Sequence, residues 1–239
     1  MENTENIKGS NDYIEGLKKG IPIGLGYLSV SITFGMIAVR GGLDIIIAII
    51  ISMTNLTSAG QFAGVELIIN NSMYMEIVLT TFIINIRYAL MSFGISQKLE
   101  KVSLIKRMII AFGITDETYA LASVEEGKLT YKFMLGLITV PYIGWGLGTA
   151  IGAISTEFMS AKLQDALGIA LYGMFLAIII PASKKDKGIL ISIIISALIS
   201  IGLFYIPVIN KISTGFAIII SSLVGALIMA KIKPIKEEE

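Results

Sequence analysis

Long apolar runs alternate along this chain with short polar links. The runs lie near 20–39, 43–70, 75–95, 105–123, 131–155, 163–181, 188–206 and 212–230. Most approach the roughly 20 residues a helix needs to cross a hydrocarbon core about 30 Å thick. The pattern predicts an all-α integral membrane protein in a lipid bilayer, not a soluble domain with a large core. A polar stretch at 1–15 and a charged one at 231–239 flank a single transmembrane domain over 16–230. The run that follows Lys18 and Lys19 superficially resembles a signal peptide. It is too long, and it ends in Val39-Arg40 without a small-residue cleavage pattern.

Counting every run as a crossing gives eight spans. With the N-terminus inside, that count strands Arg40, Lys98, Lys101, Lys106, Arg107, Lys162 and Lys211 outside, against the positive-inside rule. If 43–70 is instead a re-entrant hairpin and 105–123 dips into the inner face, only Arg40, Lys162 and Lys211 stay outside. The expected architecture is therefore about six full spans plus two interrupted or re-entrant elements, with both termini cytoplasmic. Such breaks are tolerated where they are buried in protein or line a watery cavity.

The composition narrows the chemistry. The 239 residues are 54% hydrophobic and 15% charged, with a formal net charge of +1, which gives no basic bias toward nucleic acid. Cysteine and histidine are both absent, which removes thiolate and imidazole metal ligands and leaves carboxylates as the near-neutral proton carriers. No nucleotide loop, catalytic triad or metal cluster is visible, so no cofactor, metal or enzymatic activity is expected. The run Gly144-Trp145-Gly146-Leu147-Gly148 lies in a span, where small residues serve helix packing, as do Gly24, Gly26 and Gly152.

Against this background Arg87 stands out, since it lies with Asn85 in the apolar run 77–95. A guanidinium near mid-membrane costs roughly 3 kcal/mol on insertion scales, so it marks either a substrate site or gate, or a side chain that snorkels to the interface. On a continuous helix Asn85 and Arg87 would point about 200° apart and would not form one clamp. Near Thr54 to Gln61 the second run is interrupted by polar and small residues, among them Asn55, Ser58 and Gln61. This reads either as a break offering backbone groups to a substrate, or as a helix kinked by back-bonded Ser and Thr.

Asp116 and Glu117 follow Thr115 in the fourth run. One carboxylate there would bind a substrate ammonium, pair with Arg87 or carry a proton; alternatively Thr115 or Asp116 merely caps a short helix. Glu66 and Asp165 are weaker, interfacial candidates. Pro22 and Pro141 each sit in a glycine-rich segment at the start of one half of the chain, a possible internal repeat, and mark expected helix breaks. This inventory of donors, acceptors and apolar surface suits a zwitterionic amino acid.

Several strings in order, IPIGLGYLSVSITFG, SAGQFAGV, LTTFIINIRYALMS, GITDETYALA, the Pro141 to Gly152 segment and LQDALGIALYGMFLAIIIP, resemble the AzlC family of branched-chain amino acid exporters. The resemblance covers roughly residues 10 to 205. It implies secondary export of leucine, isoleucine and valine across the bacterial plasma membrane, together with a small AzlD-type membrane subunit. The polar residues carried by the shared strings are Gln61, Asn85, Arg87, Thr115, Asp116 and Glu117. Tyr88 departs from the histidine common in relatives, so no proton relay through that histidine applies here. An ion-gradient-coupled exporter is the leading reading, and a passive channel or facilitator the alternative. A scaffold would not need Arg87 and broken helices, and an intramembrane enzyme has no nucleophile-base pair.

Overall fold

The computed structural model describes the backbone of residues 2–160, with side chains from residue 12, scattered positions between 162 and 184, and residues 186–206 and 212–232. The described residues are almost entirely helical: α1 (Glu2–Arg40), α2 (Ile45–Thr54), α3 (Ala59–Ile69), α4 (Tyr74–Asn85), α5 (Arg87–Lys98), α6 (Leu104–Phe112), α7 (Asp116–Val124), α8 (Tyr131–Ser155), α9 (Lys187–Tyr205) and α10 (Thr214–Ile232). Among these residues, five stretches are long and apolar enough to cross a membrane: Asp12–Arg40, Tyr74–Lys98, Tyr131–Ser155, Lys187–Tyr205 and Thr214–Ile232. The run expected near 163–181, with Asp165, lies largely outside the described residues. The contacts group the chain into two compact units, one of residues 1–62 with 84–168 and one of 63–83 with 169–239.

In the first unit α1 and α8 lie side by side and parallel. Gly16 faces Phe133 and Leu137, Gly24 faces Val140 and Gly144, and Gly35 faces Thr149 and Ala153. A Cβ on Gly144 would come within 2.5 Å of the Gly24 carbonyl oxygen, so only glycine allows the backbones this close. Gly148 and Gly152 continue the seam, whereas Gly146 meets Met53 of α2 and Gly26 faces open space.

The expected breaks at Pro22 and Pro141 do not occur, because both helices run through their proline. Proline removes one backbone donor and frees the carbonyl four residues earlier. In α8 that carbonyl belongs to Leu137 and faces Gly20, while Pro141 itself is buried against α1. Pro141 is thus built into the helix seam, whose packing holds α8 together on both sides of it.

The run 43–70 is interrupted and turns back on itself. α2 starts at an Asp44 cap, whose carboxylate accepts from Ile46 N–H, and descends along α8 until the Met53 carbonyl accepts from Tyr142 OH at 3.0 Å. The helix stops at Asn55 and resumes at Ala59, with Ser58 held at φ 47°, a left-handed conformation unfavourable to any side chain. Gln61 then lies beside Ser52, and Phe62 stacks edge-on against Phe34 at 5.3 Å, level with the upper part of α8. With 10 and 11 residues, neither α2 nor α3 is long enough to span. The break is narrower than the sequence predicts, and Gln61 belongs to the first turn of α3.

The run 105–123 is likewise split, into α6 and α7, at Gly113–Thr115. Thr115 caps α7 through a reciprocal capping box with Thr118, and both are buried. At the other end of α7, Lys98 Nζ donates to the carbonyls of Ser123 and Glu125 at 2.8 and 2.6 Å, where a cation complements the helix dipole. Ile110, Ile114, Ala122, Met134, Leu137 and Ile138 share the core beneath these helices.

A third interruption is not anticipated by the sequence. The run 75–95 is marked at Ile86 by a single irregular residue between α4 and α5, with neither proline nor glycine there and with helical dihedrals kept. In the second unit, α9 packs on α10 with Ser196 against Gly225, and Glu76 and Thr80 of α4 pack against Gly215 of α10.

Candidate functional site

The three interruptions of the first unit supply one connected set of polar contacts. Arg87 is the first residue of α5 and Asp116 the first of α7, and Arg87 Nη1 lies 2.7 Å from Asp116 Oδ2. The side chains are 39% and 30% exposed, so neither is sealed away. Arg87 Nη2 also donates to Tyr88 OH at 3.3 Å, and Tyr88 OH donates onward to the Thr57 carbonyl at 3.0 Å. Tyr88 therefore ties the Arg87 joint to the Asn55–Ser58 break. Within that break Thr57 Oγ1 donates to Asn55 Oδ1 at 2.8 Å, which turns the Asn55 side chain onto its own loop.

Two groups at the joint have no partner among the described residues. Arg87 Nε, a donor, and Asn85 Oδ1, an acceptor, are both buried and make no hydrogen bond. The Asn85 amide packs directly on Gly60, at the start of α3, where any Cβ would collide with it. Ile86 keeps helical dihedrals, φ −57° and ψ −27°, so Asn85 and Arg87 stay on different sides of the helix, one packed on Gly60 and the other paired with Asp116. Unpaired buried polar atoms cost about 1–3 kcal/mol each, so such groups call for an explanation.

Glu117 is engaged separately. Its carboxylate accepts a hydrogen bond from Tyr27 OH of α1. Both neighbouring carboxylates of α7 therefore have partners, one on α5 and one on α1, where the sequence leads one to expect a single inward-facing group. The Tyr27 ring meets Trp145 edge-on, 5.2 Å between centroids. Trp145 Nε1 donates to Gln61 Oε1 at 3.1 Å, Gln61 Nε2 donates to Ser52 Oγ at 3.1 Å, and Ser52 Oγ lies 2.5 Å from Thr149 Oγ1. Gln61 is only 1% exposed and both ends of its amide are occupied, so it braces the hairpin against α8.

The candidates thus fall into two groups. Arg87, Asn85, Asp116 and Asn55 surround the helix interruptions, with Ser58 supplying the strained turn. Gln61 and Glu117 belong to the bracing contacts with α1 and α8. Glu66 is exposed on α3. Sequence reasoning passes over Tyr27, Thr57, Tyr88 and Trp145 as contributors. Trp145 carries the signal that finds it, since a buried indole N–H needs an acceptor and Gln61 supplies one.

Comparison with known proteins agrees with this architecture. The model of a family described as AzlC protein matches residues 22–159. The inner membrane protein YgaZ of Escherichia coli (strain K12) is 26% identical over 209 residues, covering 84% of this chain and 85% of the relative. An uncharacterized membrane protein of Archaeoglobus fulgidus is 33% identical over 172 residues, 71% of this chain and 75% of the relative. The branched-chain amino acid transport protein AzlC of Bacillus subtilis (strain 168) is 23% identical over 174 residues, 70% of this chain and 66% of the relative. No solved structure matches the chain. A family match over more than half of its length, with helices long and apolar enough to cross a bilayer, makes this chain a multi-pass membrane protein of the AzlC family.

Proposed function

We propose that this protein is a secondary transporter that exports branched-chain amino acids across the plasma membrane, with Arg87 taking the substrate carboxylate. One observation carries the reading: at the α4–α5 interruption the Arg87 guanidinium contacts Asp116 through one nitrogen while its Nε and the neighbouring Asn85 Oδ1 are idle. An idle donor and an idle acceptor, two residues apart in the chain, match in kind what the carboxylate and ammonium of an amino acid require. Asp116 then acts as a stand-in anion, holding the guanidinium when substrate is absent and yielding it when substrate arrives. Tyr88 passes the state of Arg87 to the Thr57 carbonyl in the hairpin break, a route from substrate to gate.

The name of the Bacillus subtilis relative, branched-chain amino acid transport protein AzlC, supports the substrate class. Leu56, Tyr27 and Trp145 form an apolar cluster at the hairpin break, a suitable neighbourhood for an aliphatic side chain. Coupling to an ion gradient, a small AzlD-type membrane subunit and cytoplasmic termini complete the proposal. Counterflow of radiolabelled leucine in proteoliposomes holding the chain and its small subunit tests it. Saturable uptake against a leucine-loaded interior, stimulated by an ion gradient, is expected. Passive, non-saturable flux would instead make the protein a channel or facilitator.

A further inference from the structure

One carboxylate of the second unit stands among polar groups that nothing else uses. Glu76, in the first turn of α4, is 3% exposed. Its Oε1 accepts a 3.0 Å hydrogen bond from Gly215 N–H in the first turn of α10. Glu76 and Ser213 line an open groove of about 390 Å³ with Met73, Ile212, Phe216 and Ile220. Thr80, one turn along α4, is fully buried, and among the described residues neither its Oγ1 nor the buried Ser213 Oγ has a hydrogen-bond partner. Glu76 Oε1 and Thr80 Oγ1 each lie 2.6 Å from the point a Cβ on Gly215 would occupy, so both oxygens pack closely against the same glycine.

Capping of α10 by Glu76 accounts for the Gly215 contact, since an anion is favourable at a helix start. It does not account for the two idle hydroxyls, nor for a buried charge with a single N–H donor, which is costly unless it is paired. We propose that Glu76, Thr80 and Ser213 bind a monovalent cation of sodium's size. Carboxylate and hydroxyl oxygens are hard donors that suit such an ion. Ions of comparable radius hold oxygens at about 2.3–2.6 Å, which lets one ion join oxygens that no hydrogen bond connects. The charge selects the valence: one carboxylate neutralises a single positive charge, whereas a divalent ion would leave a surplus in apolar surroundings. A proton on Glu76 would engage one acceptor and leave a hydroxyl idle. The site is independent of the substrate assigned to Arg87.

The full chain, purified in detergent, is melted while sodium replaces choline at constant ionic strength. The melting temperature rises saturably with sodium. Glu76→Gln, which keeps an acceptor for Gly215, abolishes the rise, and Thr80→Val weakens the apparent affinity about ten-fold or more. No sodium-specific rise, or one unchanged in Glu76→Gln, overturns the proposal. A rise produced by lower pH at fixed sodium and removed by Glu76→Gln also overturns it, by making the group a proton site. Equilibrium binding of radiolabelled sodium to the unaltered protein does not depend on how the variants fold. Saturable retention supports the site, and no retention refutes it.

Discussion

Arg87 and Asp116 meet at 2.7 Å although each is the first residue of its own short helix, α5 and α7. The start of a helix favours an anion and disfavours a cation. Asp116 is therefore well placed on α7, whereas α4 leads into α5 through a helical Ile86 and gives Arg87 no free helix start. The guanidinium is a cation in an apolar stretch with one anion already on it. That arrangement suits a second, exchangeable anion better than a permanent lock.

If Asp116 competes with substrate for the guanidinium, removing its charge has a split effect. Asp116→Asn is expected to lower the KM for leucine and also to lower the maximal rate, because the bound carboxylate leaves more slowly. For a pair this exposed the effect is about 1 kcal/mol, or roughly five-fold in KM. Initial-rate export over a range of leucine concentrations checks it. A KM that rises instead would place Asp116 on the substrate itself.

The Tyr88 hydroxyl joins Arg87 to the Thr57 carbonyl, while the guanidinium also lies over the Tyr88 ring, 5.0 Å from its centroid. Tyr88→Phe keeps the ring and removes both hydrogen bonds, so it is expected to slow export while leaving leucine binding within about two-fold. One net hydrogen bond of about 1 kcal/mol corresponds to a rate loss of roughly five-fold. Binding and transport measured on the same preparation separate the two effects.

The α1–α8 seam gives a paired stability test. Gly144→Val pushes a side chain into the Gly24 backbone, which cannot move aside, and overpacking costs about 1–3 kcal/mol. Gly26→Ala meets nothing within 4 Å and is expected to be neutral. Melting temperatures of the two purified variants should differ clearly, the first falling and the second unchanged.

Gln61 occupies both ends of its amide, on Trp145 and Ser52. Gln61→Leu leaves the buried Trp145 Nε1 without an acceptor, while Ser52 keeps Thr149, and should destabilise the fold by about 1–3 kcal/mol. Leucine affinity in the surviving folded protein is expected to change little. A large affinity loss at unchanged stability would return Gln61 to the substrate site.

Much of this architecture is legible in the sequence. The apolar runs and the lysine and arginine distribution forecast the two interrupted elements, because those signals depend on local composition and on the bilayer. Polar clusters such as Asn55 to Ser58 mark backbone that leaves the helix. The interruption at Ile86 carries no such mark, and no residue at the joint is a helix breaker. The prolines mislead in the opposite direction: Pro141 meets the requirements of a break, yet the glycine seam with α1 holds the helix through it. The partnership of Tyr27 with Glu117, and of Trp145 with Gln61, depends on which helices become neighbours, and no single-chain pattern encodes that.

The account rests on the Arg87 guanidinium as the substrate's anchor. Radiolabelled leucine counterflow by Arg87→Ala and Arg87→Lys, in proteoliposomes matched for folded protein, addresses it most directly. Arg87→Ala is expected to abolish counterflow, and Arg87→Lys to retain at most a small fraction, since an ammonium cannot reproduce the planar fork of donors. Normal leucine counterflow by well-folded Arg87→Ala would contradict the account.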